Sequence, residues 1–216
     1  MTPYERLIEG YRRFRADNYA YEVEEWRKLA EGQRPRTMIV ACSDSRVDPA
    51  TIFAASPGEL FVVRNVANLV PPFSNDTLHH GTSAALEFAV STLEVEQNVV
   101  MGHGECGGIH ACLDAARGGP VSYFVGPWVE IAAPARDEIL RTRDWISDRD
   151  ARLALERASI RLSLENLGTF PFVREAIDKR GLRLDGAWFA IAEGELYWLD
   201  RESQEFRRVP SGAQGG

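Results

Sequence analysis

Cys42, His103 and Cys106 are the residues whose types and spacing could do chemistry together. Cys42 closes the apolar run TMIVA and is followed at once by Ser43-Asp44-Ser45-Arg46. His103 closes a second apolar run, NVVM, and Cys106 stands three residues further on. Two thiolates and an imidazole are a donor set that suits zinc, and three protein donors leave a fourth position open, as a catalytic site requires. Each half is ordinary alone. An isolated HxxC is commonly incidental, Cys42 could be a small core residue, and Asp44 with Arg46 could be a plain loop salt bridge. The metal reading rests on both fragments lying at strand ends, with a carboxylate and a guanidinium beside the first. Gly102, Gly104, Gly107 and Gly108 are expected to allow unusual dihedrals and close backbone approach between the two later ligands. Cys106 falls at a helix N-terminus, where the macrodipole favours a thiolate.

The elements that would position these groups are legible from periodicity. Residues 1–32 read as two polar amphipathic helices, one carrying Tyr4, Leu7, Ile8, Tyr11 and Phe14, the other Tyr21, Val23, Trp26 and Leu29. TMIVACS (37–43), LFVVRN (60–65) and NVVMGH (98–103) read as buried strands, and GTSAALEFAVSTLEV (81–95) and IHACLDAAR as helices. Residues 127–180 read as helical, and 182–200 as a hairpin turning at Glu193-Gly194. Such alternation predicts an α/β fold with a mostly parallel central sheet flanked by helices. In an open sheet of this kind ligands gather beyond the carboxyl ends of the strands, so the two loops can converge although about 60 residues separate them. The expected organisation is a helical arm over 1–32, a catalytic domain over 33–210 and a disordered tail over 211–216.

Composition excludes other classes. Lys+Arg total 25 and Asp+Glu 32, a net charge of −7, which argues against non-specific nucleic-acid binding. No apolar run approaches the 18 residues of a membrane span. The charged N-terminus is unlike a secretory signal, and three cysteines, an odd number, argue against a disulfide framework. The expectation is a cytoplasmic protein.

ACSDSRV (41–47), PGELFVVRNVANLVPP (57–72), GTSAALEFAV (81–90) and GHGECGGI (102–109) together resemble the β-class carbonic anhydrases, in particular their plant-like branch. The resemblance runs from about Gly32 to Leu113 and resumes at LENLGTFPFVREAI (164–177). It implies four parallel strands with an added C-terminal antiparallel strand, and reversible hydration of carbon dioxide to bicarbonate. It implies one Zn²⁺ per subunit on Cys42, His103 and Cys106, with Asp44 and Arg46 as a catalytic dyad. It implies substrate contacts from Gln33, Phe61, Val66, Phe88 and Gly107, and a homodimer or higher even oligomer embraced by the arms. Two thiolates cancel the formal charge of the ion, so its water should be acidified less than at a three-histidine site. Arg46 would keep Asp44 ionised, and Asp44 would orient the zinc-bound hydroxide towards the apolar substrate. The Gln33 amide and glycine N–H groups would meet the charge developing on oxygen.

Two departures matter. Ile39 stands where a bicarbonate-regulated branch has tryptophan, and that branch's tyrosine near the terminal hairpin is not evident beside Trp188-Phe189. Both argue for an open fourth position without that anion switch. Thr92 replaces a shuttle histidine found in some plant-like members, which leaves proton export unassigned. Arg64 reads as a structural tie, His79-His80 as surface residues before a helix, and Cys112 as core. The competing functions are hydrolysis of carbonyl sulfide or carbon disulfide on the same scaffold, a non-catalytic zinc module for partner binding or anion sensing, and a dithiol redox protein.

Overall fold

The computed structural model describes residues 1–76, 78–120, 122–142 and 147–212. The chain divides into two units, Met1–Arg34 and Pro35–Gly216. The last four residues of the expected disordered tail lie outside the described residues.

The first unit holds α1 (Pro3–Arg13), a π-helical turn (Phe14–Tyr19) and α2 (Val23–Glu31). Thr2 and Glu5 form a reciprocal capping box at the start of α1, with Pro3 in its first turn. Phe14 packs edge-on against Trp26 at 5.4 Å, and Tyr19 lies against the same indole at 6.0 Å. No residue of these helices is buried, and Tyr4, Leu7 and Tyr11 are exposed.

The second unit is built on a six-stranded sheet in the order β2-β1-β3-β4-β5-β6. Its strands are β1 (Thr37–Cys42), β2 (Leu60–Asn65), β3 (Gln97–His103), β4 (Arg183–Ala190), β5 (Glu195–Leu199) and β6 (Phe206–Arg208). The first four run parallel, and β5 and β6 are antiparallel. The architecture is the α/β fold expected, extended by the short β6. LFVVRN differs from its expectation: β2 is an edge strand, half-buried rather than buried, with Val62 exposed.

Side-chain alternation sends Met38, Val40, Val100, Trp188 and Ala190 to one face of the sheet. There they meet α4 (Gly81–Glu87), which continues into a π-helical turn, α8 (Asp148–Leu167) and α9 (Pro171–Arg180). Ile39, Ala41, Val99, Met101 and Ala187 point the other way, towards the short α3 (Pro49–Ile52) and Trp198. A third cluster caps the carboxyl end of the sheet. It joins Cys42, Val47 and Leu69 to α5 (Gly107–Ala116), α6 (Val125–Val129), α7 (Ala133–Thr142) and the first half of α8. β1 and β3 are neighbours in register, so their carboxyl ends emerge side by side beneath this cap.

Candidate metal centre and active site

Cys42 is the last residue of β1 and His103 the last of β3. Cys106 is the N-cap of α5, three residues beyond. One ligand atom from each lies within 4.8 Å of the others, and all three residues are buried. The two sulfurs are 3.9 Å apart. A tetrahedral ion with Zn–S bonds of about 2.3 Å would set its sulfurs roughly 3.8 Å apart. His103 Nδ1 meets the Gly104 carbonyl at 2.8 Å. That contact requires the proton on Nδ1 and leaves Nε2 a lone pair, and Nε2 is a buried atom with no hydrogen-bond partner. An orphaned imidazole nitrogen aimed between two thiols is what a zinc site looks like from the protein side. The donors fit the ion.

Electrostatics agree. The hydrogen bond between the sulfurs pulls the Cys42 thiol well below its ordinary value against the opposing effect of burial, with His103 assisting. The same bond, with burial, pushes Cys106 up. Two adjacent thiolates cannot coexist without a cation between them, so the pair shares one proton and would surrender it to a metal.

Beside this group, Asp44 accepts from the Arg46 side chain at 2.9 Å and 2.7 Å, and from the Arg46 backbone N–H at 2.9 Å. The guanidinium holds the Asp44 carboxyl well below the usual carboxylate range. Asp44 Oδ2 lies 4.0 Å from His103 Nε2, beside the three donors. Arg46 also donates to the Glu105 carbonyl at 3.1 Å, which ties the β1 loop to the β3 loop. Arg64 is the structural tie expected. It donates to the carbonyls of Cys42 at 2.9 Å and Asp44 at 2.6 Å, and to Asp48 at 3.2 Å.

The glycines of this loop work differently from expectation. None of Gly102, Gly104, Gly107 and Gly108 has a positive φ; Glu105 does, at 57°. At Gly102 and Gly108 the value of glycine is closeness of packing. A Cβ on Gly102 would stand 2.8 Å from Ile160 Cδ1 of α8, and one on Gly108 would stand 2.7 Å from Val66 Cγ1.

The candidate substrate residues fall into three places. Val66 lies against Gly108 in the first turn of α5, beside Cys106, and a Cβ on Gly107 would meet open space. Phe61 and Phe88 are together, with ring centroids 5.9 Å apart, and Phe88 is exposed. Asn65 is the β2 partner of Cys42. Phe61 is therefore four residues down the strand, about 13 Å at ~3.3 Å per residue. The aromatic pair does not reach the candidate metal ligands of its own chain. Gln33 is an exposed residue of the first unit, in the segment after α2.

Sequence reasoning missed Glu156. It is 4% exposed, and Cys106 N–H donates to its Oε1 at 3.2 Å. The available signal was a glutamate in line with Ile160, Ser163 and Leu167 on the buried stripe of α8.

Comparison with known proteins supplies the remaining findings. A family model described as "Carbonic anhydrase" matches residues 37–196. "Beta carbonic anhydrase 3" of Arabidopsis thaliana is 36% identical over 200 residues, which cover 91% of this chain and 77% of that protein. Among solved structures, the β-carbonic anhydrase CcaA matches with a TM-score of 0.89 and 32% identity, covering 96% of this chain and 92% of the other. CafA of the fungal pathogen Aspergillus fumigatus matches at TM-score 0.83 and 30% identity, covering 92% and 91%. A tetrameric β-carbonic anhydrase of Sordaria macrospora matches at 0.82 and 29%, covering 91% and 96%.

Proposed function

This chain belongs to the β-carbonic anhydrases, a family of carbonate dehydratase lyases, and we propose that it interconverts carbon dioxide and bicarbonate at the Cys42–His103–Cys106 centre. The observation that carries this reading is the convergence of two sulfurs and an unpartnered imidazole nitrogen within 4.8 Å, beside a pre-formed carboxylate–guanidinium pair.

Cys42, His103 and Cys106 would hold one zinc ion, which when bound supplies the Lewis acidity that makes water a nucleophile near neutral pH. The chain's own residues do the positioning. Asp44, kept ionised by Arg46, accepts the proton of the attacking solvent molecule and thereby directs a lone pair away from itself, towards the substrate carbon. Arg46 cannot swing away readily, because the Glu105 carbonyl holds its second amino group. Val66 offers the apolar wall nearest the ligands, and N–H groups at the start of α5, with Gly107 leaving room above them, meet the charge that develops on oxygen.

Phe61 and Phe88 complete the substrate pocket across a subunit contact, and the Gln33 amide is a substrate-binding group. The ring pair is some 13 Å along β2 from its own Cys42 level, and it lies at an unpaired sheet edge with Val62 exposed. A second copy would cover that edge, and the exposed apolar stripe of α1 has the character of a contact surface. The working form is therefore a homodimer or a multiple of it. Three free, buried cysteines suit a reducing compartment, the cytoplasm. Among the described residues no helix is long and apolar enough to cross a membrane.

The test is stopped-flow hydration of carbon dioxide with zinc content measured in parallel, on the unmodified protein and on Cys106→Ser. Fast hydration by a stoichiometric zinc protein is expected, and loss of both metal and rate in the variant. Full activity in zinc-free Cys106→Ser would overturn the reading.

A further inference from the structure

Glu156 stands behind Cys106, on the side away from Asp44, and its surroundings are unusual for a buried acid. It has no lysine or arginine within ion-pair distance among the described residues. Three N–H donors converge on it instead. Cys106 N–H reaches Oε1 at 3.2 Å, His110 Nε2 reaches the same oxygen at 3.3 Å, and the Trp188 indole N–H reaches Oε2 at 3.2 Å.

The histidine's tautomer follows from its other neighbour. Arg152 Nη1 lies 3.1 Å from His110 Nδ1, and a guanidinium only donates, so Nδ1 is the acceptor. The imidazole proton is then on Nε2, pointing at Glu156. A line of guanidinium, neutral imidazole and carboxylate leads from the surface of α8 to the backbone of a metal ligand. Each bond in such a chain polarises the next.

The peptide unit between Glu105 and Cys106 sits at the end of that line. Its N–H donates to Glu156, while its carbonyl accepts from Arg46 of the dyad at 3.1 Å. Glu105 holds a left-handed φ of 57°, a conformation that costs a non-glycine residue energy and persists only where the surroundings impose it. One plate of backbone is thus gripped on opposite edges, by the acid in the rear and by the arginine in front. From this geometry we propose that Glu156 is a positioning residue for both halves of the centre. It sets the direction of the Cys106 thiolate through the N-cap of α5, and it strengthens the carbonyl that keeps Arg46 on Asp44. His110 and Arg152 keep it oriented.

This inference rests on the zinc reading, and the experiment separates the two. Glu156→Gln keeps the size of the side chain, but turns one acceptor oxygen into a donor that must face Cys106 N–H, His110 or Trp188. The measurements are zinc loss to a chromophoric chelator, the sulfur-to-metal charge-transfer absorption of the cobalt(II)-substituted protein, and thermal melting. Outer-shell partners of metal ligands commonly contribute 10–100-fold to affinity. A folded Glu156→Gln protein is expected to hold zinc about 10-fold or more weakly, with a displaced cobalt–thiolate band. His110→Phe, which removes one donor and the link to Arg152, is expected to move the same band by less. Unchanged metal retention and an unchanged band in Glu156→Gln, or in His110→Phe should the first variant not fold, would overturn the proposal. An unmodified protein that binds no zinc would instead defeat the reading beneath it.

Discussion

Replacing Asp44 by asparagine separates chemistry from architecture at this site. The amide oxygen can still accept from Arg46 N–H and Nε, the bonds now made at 2.9 Å. Its NH₂ then faces Arg46 Nη2, which at present donates to Oδ2 at 2.7 Å. One charge-assisted bond becomes a donor–donor contact, while Nη2 keeps the Glu105 carbonyl. A buried bond of that type contributes about 1.5–3 kcal/mol. Arg46 is 49% exposed, so solvent screening brings the expected loss to at most about 1 kcal/mol. In a chain of this size that is a fall of roughly 2–4 °C in melting temperature. Catalysis should suffer far more, because the asparagine NH₂ donates at the Oδ2 position where the carboxylate accepted and cannot orient the attacking solvent molecule; misplacing a reacting group can cost on the order of 10²-fold. Stopped-flow hydration near pH 7, with zinc content and thermal melting on the same samples, measures all three. The expected result is unchanged metal, a small thermal shift and a rate lower by about 100-fold or more. A zinc-loaded Asp44→Asn protein within a few-fold of the unmodified rate would refute the role given to this carboxylate.

Further outcomes follow from the same geometry. Asp44 is held below the usual carboxylate range, so the ion pair stabilises the folded chain above the unfolded carboxyl value of about 4 and loses that effect as pH falls towards the depressed value; melts from pH 3 to 8 should show the gap between unmodified protein and Arg46→Ala constant above pH 5 and closing below about 4. Removing zinc should leave Cys42, whose thiol is held low, more readily alkylated than Cys112, whose thiol burial pushes up; mass-spectrometric mapping of alkylation with and without chelator checks this. Gly102→Ala forces a methyl to 2.8 Å from Ile160 Cδ1, and overpacking of this kind costs about 1–3 kcal/mol; chemical denaturation should report that loss, together with weaker zinc retention. Leu7→Glu with Tyr11→Glu places charges on the exposed stripe of α1 and should shift light scattering from dimer to monomer.

The three candidate ligands, the Asp44–Arg46 pair and the strands that carry them were legible because each signal is local. TMIVAC and QNVVMGH are apolar runs bounded by turn residues, and both end on a candidate metal ligand. The terminal hairpin was equally plain, with Gly194 at φ 66° supplying its turn. What escaped is not written locally. β6 is three residues amid polar ones and exists only because β5 offers it a ladder. β2 has the composition of an interior strand, and only the strand order reveals it as an edge. The left-handed position between the later ligands went to Glu105 and not to the preceding Gly104, and two long-range hydrogen bonds hold the peptide that follows it. Glu156 lies on the buried stripe of α8, but its role escaped because its donors come from residues 106, 110 and 188.

The strand order has a kinetic corollary. β1 and β3 lie side by side, while the chain between them travels out to the far edge and back through β2 and α4. The nascent polypeptide must close that excursion before sulfur and imidazole can meet, a non-local step of the sort that slows folding. An ion that waits for this closure binds the finished topology and not the coil, so it draws the equilibrium towards the native state by mass action. Metal uptake during refolding would then serve as a clock for the moment the central strands register.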